Sequence, residues 1–118
     1  METAIRHTLT RADKLRKRHE FVSLSRCGKS VSDRYFILAY QPNRIGHARI
    51  GITITRRVGN AVVRNRIKRI VREFFRVQPG LREKSVDLNV IAKKPAARVQ
   101  SARASASLHA LADRIREG

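Results

Sequence analysis

The segment VVRNRIKRIVREFFR, Val62 to Arg76, constrains the fold more than any other stretch, because it has to satisfy two surfaces at once. Six Lys and Arg residues are threaded among apolar ones that must enter a core. At about 100° per residue, Val63, Ile67, Ile70, Val71 and Phe74 share one arc, while Arg64, Asn65, Lys68, Arg69, Arg72 and Arg76 fill the opposite side. Arg66 falls apart from that row, at the back edge of the apolar arc. The segment is therefore an amphipathic helix that lays one stripe on another layer and turns a cationic row outward. Asn60 suits its N-cap, and Pro79 with Gly80 stops it.

A solvated charged face is normally supported by carboxylates one turn away. Here the stretch from Asn60 to Arg76 contains only Glu73. The like-charged spacings Arg64–Lys68 and Lys68–Arg72 each cost a few tenths of a kcal/mol in an isolated helix. A face set against its own stability is a binding face. Arg dominates it, and the planar guanidinium binds phosphate oxygens in pairs and stacks on bases. The rest of the chain agrees: 27 Lys and Arg against 9 Asp and Glu give a net charge of +18 on 118 residues. Self-repulsion on that scale points to a polyanionic partner. An anionic membrane surface is a weaker alternative, since the charge runs along the whole chain.

Around this helix the pattern reads α, a run of strands, α, β, α, an α+β sandwich of one domain with its first nine residues loose. Phe21, Val22, Leu24 and Leu15 lie toward one side of a first helix that ends at Gly28 and begins between Arg11 and Lys17; Thr10 and Asp13 have capping-box spacing. RYFILAYQ (34–41) and ARIGITITRR (48–57) read as strands. In the second, Ile50, Ile52 and Ile54 alternate with Arg49, Gly51, Thr53 and Thr55. The loop between them suggests an antiparallel hairpin, extended by a short strand near Ser30. VDLNVIA (86–92) is a further strand, and Ala104, Leu108, Leu111, Ala112 and Ile115 mark a last helix over 101–116. Phe21, Tyr35, Phe36 and Tyr40 are candidates for stacking on unpaired bases. Core packing is the alternative for each, and Tyr35 and Phe36, as neighbours, must face opposite ways.

Catalytic and metal-binding patterns are missing. The nine acidic residues are scattered, His7, His19, His47 and His109 lack ligand spacing, and Gly46, Gly51 and Gly59 form no phosphate loop. The single Cys27 permits no internal disulfide and fits a reducing compartment. METAIRHTLT offers no apolar run for a signal peptide, and no stretch could span a bilayer. The expectation is a cytoplasmic, nucleic-acid-binding protein without an autonomous active site.

The block RIGITITRRVGNAVVRNRIKRIVREFFR (49–76) resembles the signature of the protein subunit of bacterial ribonuclease P, with Gly-Asn-Ala-Val, Arg-Asn-Arg and Lys-Arg in order. HEFVSLSRCGKSV resembles that family's first helix, and VDLNVIAKKPA its last strand and following loop. The resemblance implies an α-β-β-β-α-β-α fold with a left-handed crossover through the basic helix. It also implies a protein cofactor of a ribozyme: the holoenzyme is an endoribonuclease that removes the 5′ leader of precursor tRNA, its catalytic groups lie on the RNA, and the Mg²⁺ is held mainly by that RNA. Carried onto this chain, the catalytic RNA would meet Arg56, Arg57, Asn60, Arg64, Asn65, Arg66, Lys68, Arg69 and Arg72. The leader would meet Phe21, Phe36 and Tyr40, in a cleft between the first helix and the sheet. Ser25 and Ala39 stand where many members carry aromatics, which implies a cleft that leans more on charge. Two other classes stay open: a ribosome-associated RNA-binding protein, and a stand-alone nuclease disfavoured by the scattered carboxylates.

Overall fold

A computed structural model describes residues 13–15 and 17–117. The nine residues expected to be loose, and Thr10 of the expected cap pair, lie outside the described residues. The first helix, α1 (Arg18–Cys27), opens where Glu20 accepts the Lys17 N–H at 3.0 Å. It closes where Gly28 N–H donates to Leu24 at 3.0 Å. Strands β1 (Lys29–Ser32), β2 (Phe36–Pro42) and β3 (Arg49–Thr53) follow, then α2 (Ala61–Val77), β4 (Val86–Ala92), a 3₁₀ turn (Lys94–Ala97) and α3 (Ser101–Glu117). The order is the expected α-β-β-β-α-β-α.

The sheet order is β1-β2-β4-β3, so the hairpin expected between β2 and β3 does not form. β1 pairs antiparallel with β2, as expected for the strand near Ser30. β4 then inserts between the other two, antiparallel to β2 and parallel to β3. The reason is burial. Of the seven β4 residues only Ile91 is partly exposed, so this strand belongs at the centre with a layer on each face. A parallel pair needs a crossover rather than a tight turn, and α2 supplies it between β3 and β4. The loop after β2 is tied across the end of β4 instead, by Asn43 N–H to Ser85 at 2.9 Å and Ala48 N–H to Arg82 at 3.0 Å.

The main core lies between one sheet face and the helices α2 and α3. Phe36, Leu38, Ile50, Leu88 and Val90 meet Ile67, Val71, Phe74, Phe75, Leu108 and Leu111 there. The buried stripe of α2 includes Phe75 and leaves Ile70 only half-buried, so the helix is rolled slightly from the expected arc. α1 packs on the opposite face, and that side builds the site.

Candidate nucleic-acid interface

Asn60 caps α2 as expected, its Oδ1 accepting the Val63 N–H at 3.0 Å. Beyond the cap the cations divide into three directions. Arg64, Lys68 and Arg72 form an i,i+4 row beside the buried stripe, and the Nε of Arg64 is buried with no hydrogen-bond partner within the described residues. Asn65 and Arg69 point outward and are exposed, as are Arg56 and Arg57 in the preceding turn. Arg66 turns the other way and donates from Nη2 to the backbone carbonyl of Val99, joining α2 to the start of α3. Its separate place on the wheel was legible; its structural partner was not. Arg76, in the same arc, is occupied by Glu73.

On the other face, α1 is fastened by an ionic network. Arg49 donates from Nε and Nη2 to the two oxygens of Asp87 at 2.9 and 2.8 Å, and from Nη1 to Glu20 of α1 at 2.7 Å. Asn43 adds a donor to Asp87 at 2.8 Å. The Asp87 hydrogen bond, against the opposing cost of burial, holds the Arg49 guanidinium above its ordinary pKa, with Glu20 adding to it. Beside this network the Phe21 ring lies over Gly51: a Cβ at residue 51 would stand 2.4 Å from Phe21 Cε1. Asn89 and Thr53 bond each other under the same place, at 3.1 and 3.2 Å. Ser23 and Gln41 close the flank at 3.0 Å.

The structure corrects two of the expected stacking residues. Phe36 is fully buried, and Tyr40 packs on the same core. Both belong to the sheet face under α2 and α3, whereas the face under α1 carries Ile37, Ala39 and Gln41, in register with Ile91, Asn89 and Asp87. Strand parity decides it: β2 is apolar on both faces, and composition could not say which one α1 covers. Of the three expected residues only Phe21 reaches the α1 cleft.

Sequence reasoning also missed how close the two expected surfaces are. A cavity of about 230 Å³ along the β3 edge is lined by Phe21 of α1, Gly51 and Ile52 of β3, and Lys68 and Arg72 of α2, with Lys14 at its rim. The bridge between Lys14 and Ile50, with Leu15 N–H donating to Ile50 at 2.9 Å, brings that lysine there. A ring and three cations around one concavity suit a single-stranded polyanion with unpaired bases. Among the described residues no group of His, Cys, Asp and Glu could hold a metal, and no helix is long and apolar enough to cross a membrane.

The family model for ribonuclease P matches residues 9–116. The ribonuclease P protein component of Desulfatibacillum aliphaticivorans is 45% identical over 109 residues, covering 92% of each chain. That of Thermotoga maritima is 38% identical, covering 74% of each. The structure of the Staphylococcus aureus ribonuclease P protein superposes with a TM-score of 0.79 at 34% identity, over 87% of this chain and 94% of that one. The T. maritima ribonuclease P protein gives 0.73 at 34% identity, over 80% and 90%. Matched by the family model over nearly its whole length and by relatives of this identity, the chain belongs to the bacterial ribonuclease P protein family.

Proposed function

We propose that the outward row of α2 seats the catalytic RNA of ribonuclease P, and that the cleft between α1 and the sheet takes the 5′ leader of precursor tRNA. The chain is a protein component of an endoribonuclease whose catalysis is carried out by RNA. On this reading Arg56, Arg57, Asn65, Lys68, Arg69 and Arg72 supply phosphate contacts. Arg64, half-buried at the base of the row, adds its charge, Asn60 keeps only its amide N–H free beyond the cap, and Arg66 acts by setting the angle of α2 against α3. Phe21 offers the cleft its ring. Mg²⁺ sits on the RNA, and the holoenzyme works in the cytoplasm.

The observation that carries the reading is the shared cavity at the β3 edge, where α1 and α2 present a ring and cations to one space. The protein supplies orientation and charge neutralisation, and the RNA supplies the hydrolytic chemistry. Cleavage of precursor tRNA at low Mg²⁺ tests it, with protein alone, ribonuclease P RNA alone, and both. Activity is expected only, or far better, with both. Cleavage by the protein alone, or no gain over RNA alone, would overturn it.

A further inference from the structure

A second concavity lies away from the α1 cleft. It has a volume of about 580 Å³ and is bounded by the turn before β2, the turn before α2, and the segment from Lys94 to Val99. Four cations line it, Arg34, Arg57, Lys94 and Arg98, and all four are exposed. Tyr35 is the one aromatic ring in the lining. No carboxylate lines it, and among the described residues none of the four side chains makes an ion pair or hydrogen bond.

The backbone that carries these side chains is fixed. Asp33 folds the first turn, accepting the N–H groups of Tyr35 at 2.8 Å and Phe36 at 3.0 Å, and Ser107 of α3 donates to its other oxygen. Lys93 fastens that turn to the end of β4, through Nζ to the Asp33 carbonyl at 2.6 Å and N–H to Tyr35 at 2.9 Å. Val99, at the far wall, holds Arg66 of α2. Asp33 is thus spent on its own turn, and the cations are left to face the cavity. A rigid frame with unpaired charge and a single ring has the composition of a nucleotide site.

We propose that this cavity binds one unpaired nucleotide of an RNA, with the base against Tyr35 and the flanking phosphates on Arg34, Arg57, Lys94 and Arg98. A concave pocket with one ring suits a splayed-out base, and a regular duplex presents none. The inference rests on the RNA-binding reading given above but concerns a second concavity, which shares only Arg57 with the surface assigned to the catalytic RNA. The nucleotide could come from the catalytic RNA or from precursor tRNA.

The test uses the full chain, each RNA separately, and two variants. In Arg34→Gln/Arg98→Gln the log–log salt slope of binding should flatten by about 0.7–0.9 per lost phosphate contact with one of the two RNAs, which identifies the source. In Tyr35→Trp, the chain's only tryptophan should be quenched by the same RNA, since the native sequence has none. Lys68→Gln/Arg72→Gln serves as the reference for α2. If that reference flattens the slope while the cavity variant keeps the parent slope with both RNAs, the nucleotide site is wrong and the α2 reading stands. If neither variant changes the slope, both fall. A flattened slope with unmoved tryptophan emission also overturns the nucleotide site, leaving only a phosphate contact.

Discussion

At residue 51 the absence of a side chain sets where the Phe21 ring lies in the α1 cleft. Gly51 lies under the Phe21 ring with no room for a methyl group, because a Cβ there would overlap Cε1 and Cζ at 2.4 and 2.7 Å. Gly51→Ala should therefore displace Phe21 while leaving the α2 face intact. The expected outcome is loss of the affinity gained from a longer 5′ leader, with ribonuclease P RNA binding unchanged, measured by titrating precursor tRNAs of different leader lengths. Asp33 gives a second prediction. Burial pushes its carboxyl up, but hydrogen bonds from Ser107, Phe36 and Tyr35 and the charge of Lys93 outweigh that and hold it below the ordinary value. A depressed folded pKa contributes stability above the ordinary carboxylate range and loses it as pH falls through the folded value. The gap in urea stability between the parent and Asp33→Asn should thus narrow as pH falls from about 5 to 3. A gap that stayed constant would mean that the turn does not depend on the charge. Neither position stands out in the sequence: Gly51 reads as an ordinary interruption of a strand, and Asp33 as a turn residue. The position of Phe21 against the sheet was legible because it lies on the apolar side of its helix. The partners expected for it failed because Phe36 and Tyr40 share the opposite parity to Ala39.

Among the elements, α2 and β4 were the most legible, since each carries one unambiguous pattern. The wheel separated the buried and basic sides of α2, and the apolar run of β4 has the same bounds in the structure, Val86–Ala92. Strand pairing was not legible. Neighbouring strands joined by a short polar loop ordinarily pair, and only the burial of β4 on both faces explains why it separates β2 from β3. Two elements then depend on single anchors. α2 begins with no acidic residue in its first turn, so Asn60 is its main N-terminal support. Asn60→Ala should cost about 1 kcal/mol, read from the urea midpoint at unchanged slope. α1 depends on Arg49, which joins Glu20 of the helix to Asp87 of the sheet with little exposure at any of the three. Arg49→Met would leave the Asp87 carboxylate buried without its guanidinium. A loss of about 2–4 kcal/mol is expected, near or below the usual range for breaking a buried pair because Arg49 keeps some contact with water. Leader-dependent binding should weaken along with it, as α1 loses its fixed distance from the sheet. A variant that kept both stability and leader discrimination would show that apolar packing alone places the helix.

Across the whole molecule, charge and size set the strongest expectation about conditions. A net charge of +18 is carried by a body measuring 37 × 35 × 28 Å, and the named ion pairs Arg49–Glu20, Arg49–Asp87, Arg76–Glu73 and Arg82–Asp13 offset little of it. At 0.01 M salt the screening length is about 30 Å, comparable to the molecule, so nearly every cation repels every other. At 0.15 M it falls to about 8 Å, and only neighbours interact. Folding gathers these charges from an expanded chain, so the folded state gains more from screening than the unfolded one does. Tm should therefore rise by several degrees between those two salt concentrations, measured by circular dichroism in sodium chloride. Oligouridylate at the lower salt should raise it further than sodium chloride of matched ionic strength. On the proposed reading its phosphates would bind the α2 row and both basic concavities in the native state, and specific binding adds to screening. If the two agents stabilised equally at matched ionic strength, the cations would act only as diffuse charge, without an organised phosphate-binding surface. A larger shift with the oligonucleotide, lost in Lys68→Gln/Arg72→Gln, would tie the stabilisation to the geometry of α2 and the β3 edge.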